Sequence, residues 1–149
     1  MIRHILVVCV GNICRSPMAE ALLRVALQEQ AEITVASAGL GALVDWPADQ
    51  QAEDLMAERG LDIRAHRARQ LTPELIKGAD LILVMESGHK KAIEAGDITA
   101  RGKVARIGEW QDKDIDDPYR RPRAAFEAAL ADIEAGVAAW VERLQGEGQ

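Results

Sequence analysis

The sequence predicts one α/β domain over residues 1–149, built on an open, parallel sheet of four strands with helices on both faces. The first observation is that short apolar segments, typical of strands buried on both faces, alternate with segments of helical periodicity. This alternation predicts parallel strands joined by right-handed crossovers. The second is the length of 149 residues, which suits a single domain with a sizeable core.

The first strand and the first helix are joined by a short loop. Residues 5–8 form a continuous apolar run, which predicts the first strand. Ser16 and Pro17 are typical of an N-cap and a first helical residue. Apolar residues then recur at helical spacing, at Met18, Ala21, Leu22, Val25 and Ala26. The loop therefore lies between a strand's carboxyl end and a helix N-terminus, where open α/β sheets bind anions.

The middle of the chain predicts a strand, two helices and a further strand. Residues 33–37 are strand-like, and a loop containing glycines follows them. Residues 52–59 have helical spacing, and Gly60 is a natural stop for that helix. Thr72 can cap a short helix ahead of the buried strand predicted over residues 79–85.

The last third of the chain completes the alternation. Residues 87–95 predict a helix, residues 104–107 the fourth strand, and residues 109–122 a polar loop. We expect residues 145–149 to be a frayed tail. The final helix has an apolar stripe formed by Phe126, Ala129, Leu130, Ile133, Val137, Trp140, Val141 and Leu144.

Two chemically active side chains stand at the ends of the first loop. Five residues separate Cys9 from Arg15, so the loop can curl until its backbone N–H groups point at one phosphate-sized oxyanion. Arg15 would then bind two oxyanion oxygens, while a Cys9 thiolate lies beneath the central atom as a nucleophile. This arrangement predicts a phosphatase with a cysteine nucleophile. Its phosphate-binding loop comprises Val10, Gly11, Asn12, Ile13, Cys14 and Ser16.

Such a reaction also needs a carboxylic acid on another loop to protonate the leaving group. Asp117 is the candidate, because Pro118 restricts the backbone beside it and Tyr119 can form one wall of a cleft for an aryl phosphate. On spacing alone, an exposed acidic turn explains the same residues equally well.

Composition excludes several classes of function. The net charge of −6 argues against a general nucleic-acid binder. Arg120, Arg121 and Arg123 either add local positive charge to the site or form a solvated helix start. No apolar stretch is long enough to cross a bilayer and no signal peptide is recognisable, so we expect a cytoplasmic protein without membrane insertion. Absence of an unassigned apolar stripe favours a monomer.

Six segments together resemble the low-molecular-weight protein tyrosine phosphatases. They are residues 8–17, 37–39, 45–46 and 65–70, the strand that ends at Met85, and residues 117–119. The resemblance covers nearly the whole chain and implies the phosphotyrosine phosphatase I-like fold. Residues 37–43 and 117–120 are similar to the bacterial branch that accompanies tyrosine autokinases of capsule and exopolysaccharide export. The implied partner is a phosphotyrosine protein such as a cognate autokinase, and no metal or cofactor is implied.

The same resemblance implies roles for the matching residues. Cys9 would be the nucleophile, Arg15 would bind the phosphate and the transition state, and Asp117 would act as general acid and then as base for water. The hydrogen-bond network that supports the loop would comprise Asn12, Ser16, Ser37 and His66.

Other residues match the family's substrate cleft. Trp46 and Tyr119 correspond to the walls that flank the substrate ring, although Trp46 equally fits a packing role. Glu86 stands where eukaryotic members have an aspartate, which puts that minor role in doubt.

The two cysteines of the chain both lie in the loop, which indicates reactive thiols rather than a disulfide framework. A helix N-terminus and an adjacent arginine stabilise a thiolate, so we expect Cys9 to be ionised and to be oxidised first. Cys14 is then predicted to resolve the sulfenic acid reversibly, the alternative being a small packing residue.

Two other functions share part of this sequence pattern. Thioredoxin-coupled arsenate reductases resemble this fold and share the Cys-to-Arg loop, but they need further thiols, and this chain has only two cysteines. A non-catalytic phosphotyrosine reader would need neither the Cys9 nucleophile nor the Asp117 acid.

Overall fold

The computed structural model describes residues 1–147 and contains one parallel sheet in the order β2-β1-β3-β4. The strands are β1 (His4–Cys9), β2 (Thr34–Gly39), β3 (Leu81–Val84) and β4 (Val104–Arg106). The helices are α1 (Arg15–Ala26), α2 (Gln50–Glu58), α3 (Pro73–Gly78), α4 (Ser87–Gly96) and α5 (Arg123–Glu147). Short 3-10 helices span Ile98–Ala100 and Glu109–Gln111. The predicted fold class is confirmed.

Alternating side chains of the strands bury both faces of the sheet. Ile5 and Val7 of β1 belong to a core that they share with residues of α1, α2 and α5. Leu6 and Val8 point the other way, into a second core with residues of α3 and α4. Because helices cover both faces, the central strands are continuously apolar, which is the pattern that predicted them. Within residues 1–147, no helix has the length and apolar character that a membrane crossing requires.

The start of α1 differs from the prediction. The helix begins at Arg15 and Cys14 occupies the N-cap position without a capping side-chain bond, so the assignment of Ser16 as N-cap is wrong. Pro17 is accordingly the third helical residue rather than the first. A proline is tolerated there because N–H groups of the first turn have no partner within the helix.

Other boundaries agree with the prediction to within a few residues. The Thr72 hydroxyl caps α3 by accepting from the Leu75 N–H, as predicted. Strand β2 is longer than expected because Ala38 and Gly39 still pair with β1. Helix α5 continues to Glu147, into the segment expected to be a frayed tail, and residues 148–149 lie outside the described part of the chain.

Candidate active site

A cleft of about 150 Å³ lies where β1 ends and the predicted phosphate-binding loop begins. It is lined by Cys9, Val10, Gly11, Ile13, Cys14, Arg15, Gly41, Leu43, Asp117 and Tyr119. The cleft therefore brings together the three residues predicted to carry the chemistry. A larger groove of about 710 Å³ lies behind the loop, between α1 and residues 61–69, but neither cysteine lines it.

Buried Asn12 determines the shape of the loop. Its φ of 61° is left-handed, a conformation that asparagine tolerates better than most residues. The Asn12 amide nitrogen donates to Ser16 Oγ at 2.7 Å and to Ser37 Oγ at 3.0 Å. The amide oxygen accepts from the Arg69 N–H at 2.9 Å, and the Asn12 carbonyl accepts from His66 Nε2 at 2.7 Å. The structure thus joins all four residues predicted to support the loop.

Two residues that the sequence reasoning missed extend this network. Glu20 accepts from Ser37 Oγ at 2.5 Å, and Arg69 donates from Nε to the Ser37 carbonyl at 2.9 Å. Gly39 adds a steric constraint, because a Cβ there would overlap the Val10 carbonyl oxygen. The signal for Arg69 was present, since it lies in the 65–70 segment that carried the resemblance.

The backbone amides of the loop are available to a ligand. Among the described residues, the N–H groups of positions 10–14 donate to no protein acceptor. They lie between a strand and the N-terminus of α1, whose first-turn amides and dipole also favour an anion. The loop therefore has the donors that a phosphate requires.

Ser16 faces the sulfur of Cys9 rather than the helix end. The distance from Ser16 Oγ to Cys9 Sγ is 2.9 Å, and both side chains are buried. Because Ser16 Oγ already accepts from Asn12, its own hydrogen is free to be donated to the sulfur. Such a hydrogen bond stabilises a thiolate, as the sequence reasoning expected of this hydroxyl.

The Arg15 side chain is only 1% exposed, and hydrogen bonds to two neighbouring residues hold it in one orientation. Its NH1 group donates to Glu86 Oε2 at 2.7 Å and to the Ile115 carbonyl at 2.6 Å. Its NH2 group lies 3.7 Å from Asp117 Oδ2. Within residues 1–147 the Nε and NH2 groups of Arg15 have no hydrogen-bond acceptor, which leaves one edge of the guanidinium for an oxyanion.

Asp117 and Tyr119 lie in the cleft wall, and a bond between them shapes the turn. Asp117 Oδ1 accepts from the Tyr119 N–H at 3.1 Å across Pro118, and the Asp117 side chain is 46% exposed. The exposed-turn interpretation and the site interpretation therefore describe the same local structure.

The cleft lining does not include Trp46, Arg120, Arg121 or Arg123. Trp46 is 51% exposed, and Leu43 of the same loop forms the wall instead. Arg123 pairs with Glu58 at 2.7 Å at the start of α5, and Arg120 lies over the Tyr119 ring. Contact of Trp46 with a substrate stays a prediction.

The pKa of His89 reflects its position behind Arg15. Burial lowers the pKa of His89 below its ordinary value, while the carboxylate of Glu86, 3.4 Å from Nε2, opposes that shift. His89 is therefore neutral at neutral pH, and Glu86 remains paired with Arg15.

Cys14 differs from Cys9 in having no hydroxyl partner among the described residues. Burial raises the pKa of the Cys14 thiol far above its ordinary value, and the negative charge of Asp49 acts in the same direction. Cys14 is therefore protonated at neutral pH while the loop keeps this shape.

Reversible oxidation is testable through Cys14. Hydrogen peroxide should convert the Cys9 thiolate to a sulfenic acid, which condenses with the Cys14 thiol and releases water. Dithiothreitol should then restore most of the activity of the parent protein. Cys14→Ser should recover a smaller fraction of its own untreated activity, because its sulfenic acid is open to further oxidation. Equal recovery would show that Cys14 has no protective role.

The family described as "Low molecular weight phosphotyrosine protein phosphatase" matches residues 4–149. The chain belongs to this family. A curated relative, "Probable low molecular weight protein-tyrosine-phosphatase EpsP" of Ralstonia solanacearum, is 55% identical over 148 residues, covering 99% of this chain and 100% of the relative. The low-molecular-weight phosphatase resemblance is thereby confirmed, and the chain is a protein tyrosine phosphatase by family.

Solved structures of the same fold agree. Vibrio vulnificus Wzb in complex with benzylphosphonate is 42% identical with a TM-score of 0.90, covering 96% of this chain and 99% of that one. The YwlE arginine phosphatase of Geobacillus stearothermophilus is 35% identical, also with a TM-score of 0.90, covering 97% of this chain and 94% of that one. This low-molecular-weight phosphatase fold therefore occurs with more than one phosphorylated side chain as substrate.

Proposed function

We propose that this phosphatase hydrolyses phosphotyrosine in proteins through a phosphocysteine intermediate. The observation that carries the proposal is the meeting of Cys9, Arg15 and Asp117 in one cleft of about 150 Å³. A nucleophile, an anion-binding guanidinium and a carboxyl group then face the same phosphate. Each performs a different part of the reaction.

In the first step the Cys9 thiolate attacks phosphorus in line with the phenolic oxygen. The S–P bond forms as the P–O bond breaks, and protonated Asp117 gives its proton to the leaving phenolate. The amides of residues 10–14 and the free edge of Arg15 bind the equatorial oxygens. Glu86 and Ile115 keep Arg15 from turning away, since both bind its NH1 group.

In the second step Asp117, now a carboxylate, takes a proton from water as that water attacks phosphorus. The S–P bond breaks, inorganic phosphate forms, and sulfur leaves as the thiolate. Ser16 Oγ, 2.9 Å from Cys9 Sγ, stabilises the departing sulfur with its hydrogen bond.

The walls of the cleft favour an aromatic phosphate. Ile13, Leu43 and Tyr119 place apolar surface around the space above Cys9. An aryl ring gains contact with such walls, whereas a phosphoserine side chain is too short to use them. Benzylphosphonate, bound by the related Vibrio vulnificus Wzb, combines a ring with a phosphonate in the same way.

The proposed physiological substrate is a bacterial tyrosine autokinase that controls capsule or exopolysaccharide production. Support comes from the residues 37–43 and 117–120 that resemble this branch, and from relatives bearing the names EpsP and Wzb. We propose that the reaction takes place in the cytoplasm, which is the compartment expected from the sequence.

The decisive experiment measures phosphate release from phosphotyrosine, phosphoserine and phosphoarginine peptides of one sequence, with a metal chelator present. The parent should release phosphate from phosphotyrosine. Asp117→Asn should lower that rate about 100-fold, because it removes the acid that protonates a poor leaving group.

Three outcomes would contradict the proposal. Tight binding of phosphotyrosine without release would indicate a reader module. Release from phosphoarginine alone would indicate a different substrate class, and arsenate reduction coupled to thioredoxin without phosphatase activity would indicate the reductase.

Asp117→Gly is unsuitable as the test, because it also removes the carboxylate oxygen that accepts the Tyr119 N–H. Asparagine retains that acceptor.

A further inference from the structure

Arg106 gathers three carboxylates at the base of the loop that carries Asp117. It is the last residue of β4, and its side chain is 15% exposed. One NH2 group lies 2.7 Å from Asp112 Oδ1 and 3.6 Å from Glu109 Oε2. The NH1 group lies 3.1 Å from Asp114 Oδ1. The Arg106 guanidinium therefore connects the end of β4 to the carboxylates of residues 109, 112 and 114 through ion pairs.

The far end of the same segment touches the predicted phosphate-binding machinery. Asp114 accepts from the N–H of Ser87, the first residue of α4, at 3.0 Å. Ile115 donates its N–H to the Met85 carbonyl at 2.9 Å and accepts from Arg15 at 2.6 Å. The contacts of Arg106 therefore end one residue before the carbonyl that holds Arg15.

Residues 109–114 contain one strained backbone position and three neighbouring carboxylates, and the positive charge of Arg106 offsets the repulsion between those carboxylates. Asp112 is left-handed with a φ of 49°, which is costly for a residue other than glycine. Partial burial acts to raise the pKa of Asp114, yet that pKa is lowered, because Arg106 and the Ser87 N–H hydrogen bond its carboxylate. Without the guanidinium, three neighbouring carboxylates would repel one another.

We propose that Arg106 is a positioning residue for Asp117: by holding the three carboxylates at the loop base, it keeps Asp117 where the leaving oxygen is protonated. This inference rests on the proposed role of Asp117 as the general acid. The loop then runs only from residue 114 to residue 117 between its fixed base and the cleft. A displacement of about 1 Å at an acid can cost up to about 100-fold in rate.

The test compares kcat/KM for two substrates. The leaving group of p-nitrophenyl phosphate needs little protonation, whereas that of phenyl phosphate is a phenol like that of tyrosine. Arg106→Gln should lower kcat/KM for phenyl phosphate about 10-fold more than for p-nitrophenyl phosphate. Arg59→Gln is the matched control, because it removes an exposed ion pair between Arg59, the residue after α2, and Glu134 of α5; it should leave the ratio of the two values unchanged.

Asp117→Asn separates this inference from the proposed function. Adding Arg106→Gln to Asp117→Asn should not change the substrate ratio further, because the acid that Arg106 positions is already absent. Equal losses on both substrates in Arg106→Gln would overturn the positioning role. A parental ratio in Asp117→Asn would overturn the acid role itself.

A second variant guards against misfolding. If Arg106→Gln is unfolded at the assay temperature, Asp112→Asn removes the negative charge of the ion pair that Arg106 makes at 2.7 Å and keeps Arg106. It should change the ratio in the same direction by a smaller factor, and an unchanged ratio in a folded Asp112→Asn protein would overturn the proposal.

Discussion

Cys9→Ser should abolish phosphotyrosine hydrolysis, by at least about 10⁴-fold, while phosphopeptide binding persists. A serine hydroxyl is a poorer nucleophile than a thiolate because it remains protonated, and the neighbour of Sγ at 2.9 Å is the Ser16 hydroxyl, which is not a base. The loop amides and Arg15 are unchanged by the substitution, so the phosphate remains bound. Phosphate release and calorimetric titration with the same phosphopeptide would measure both properties.

Trapping the intermediate supplies the control for this prediction. Parent protein that is acid-quenched during turnover should carry a phosphoryl group on Cys9, detectable by mass spectrometry, and Cys9→Ala, which has no side-chain atom that can accept phosphorus, should carry none. If Cys9→Ser retained more than about 1% of the parental rate, the nucleophile would lie elsewhere.

Arg15→Lys is expected to lower kcat/KM for phosphotyrosine about 1000-fold. The guanidinium binds Glu86 and the Ile115 carbonyl through NH1 and still presents a second edge to the phosphate. A lysine has one nitrogen, which cannot satisfy both buried partners and also bind two phosphate oxygens. The loss should appear in binding of inorganic phosphate as well as in turnover.

The matched control is Arg121→Lys, because Arg121 is exposed and its side chain makes no ion pair within residues 1–147. It should retain the parental kcat/KM. Thermal unfolding of both variants shows whether Arg15→Lys is folded. A folded Arg15→Lys protein with less than a 10-fold loss would contradict the assigned role of the guanidinium.

Local sequence determined much of this molecule. The apolar run at residues 5–8, the five-residue interval from Cys9 to Arg15 and the stripe of α5 each predict structure within one element. Such features depend on neighbours a few positions apart, which is why strand, loop and helix appeared where expected. The boundary at Arg15 was missed because the Ser16 hydroxyl binds Cys9 rather than the helix end.

Contacts between distant segments required the tertiary structure. Glu86 and Ile115 lie 71 and 100 residues from Arg15, and no local pattern predicts which acidic residue or carbonyl will meet a guanidinium. The same holds for the bond between Asn12 and Arg69 and for Leu43 in the cleft wall. The sequence by itself determined the strand–loop–helix unit and its reactive residues, since these depend on spacing and periodicity. The orientation of Arg15 and of the acid loop was decided only when the parallel strands brought their carboxyl ends together.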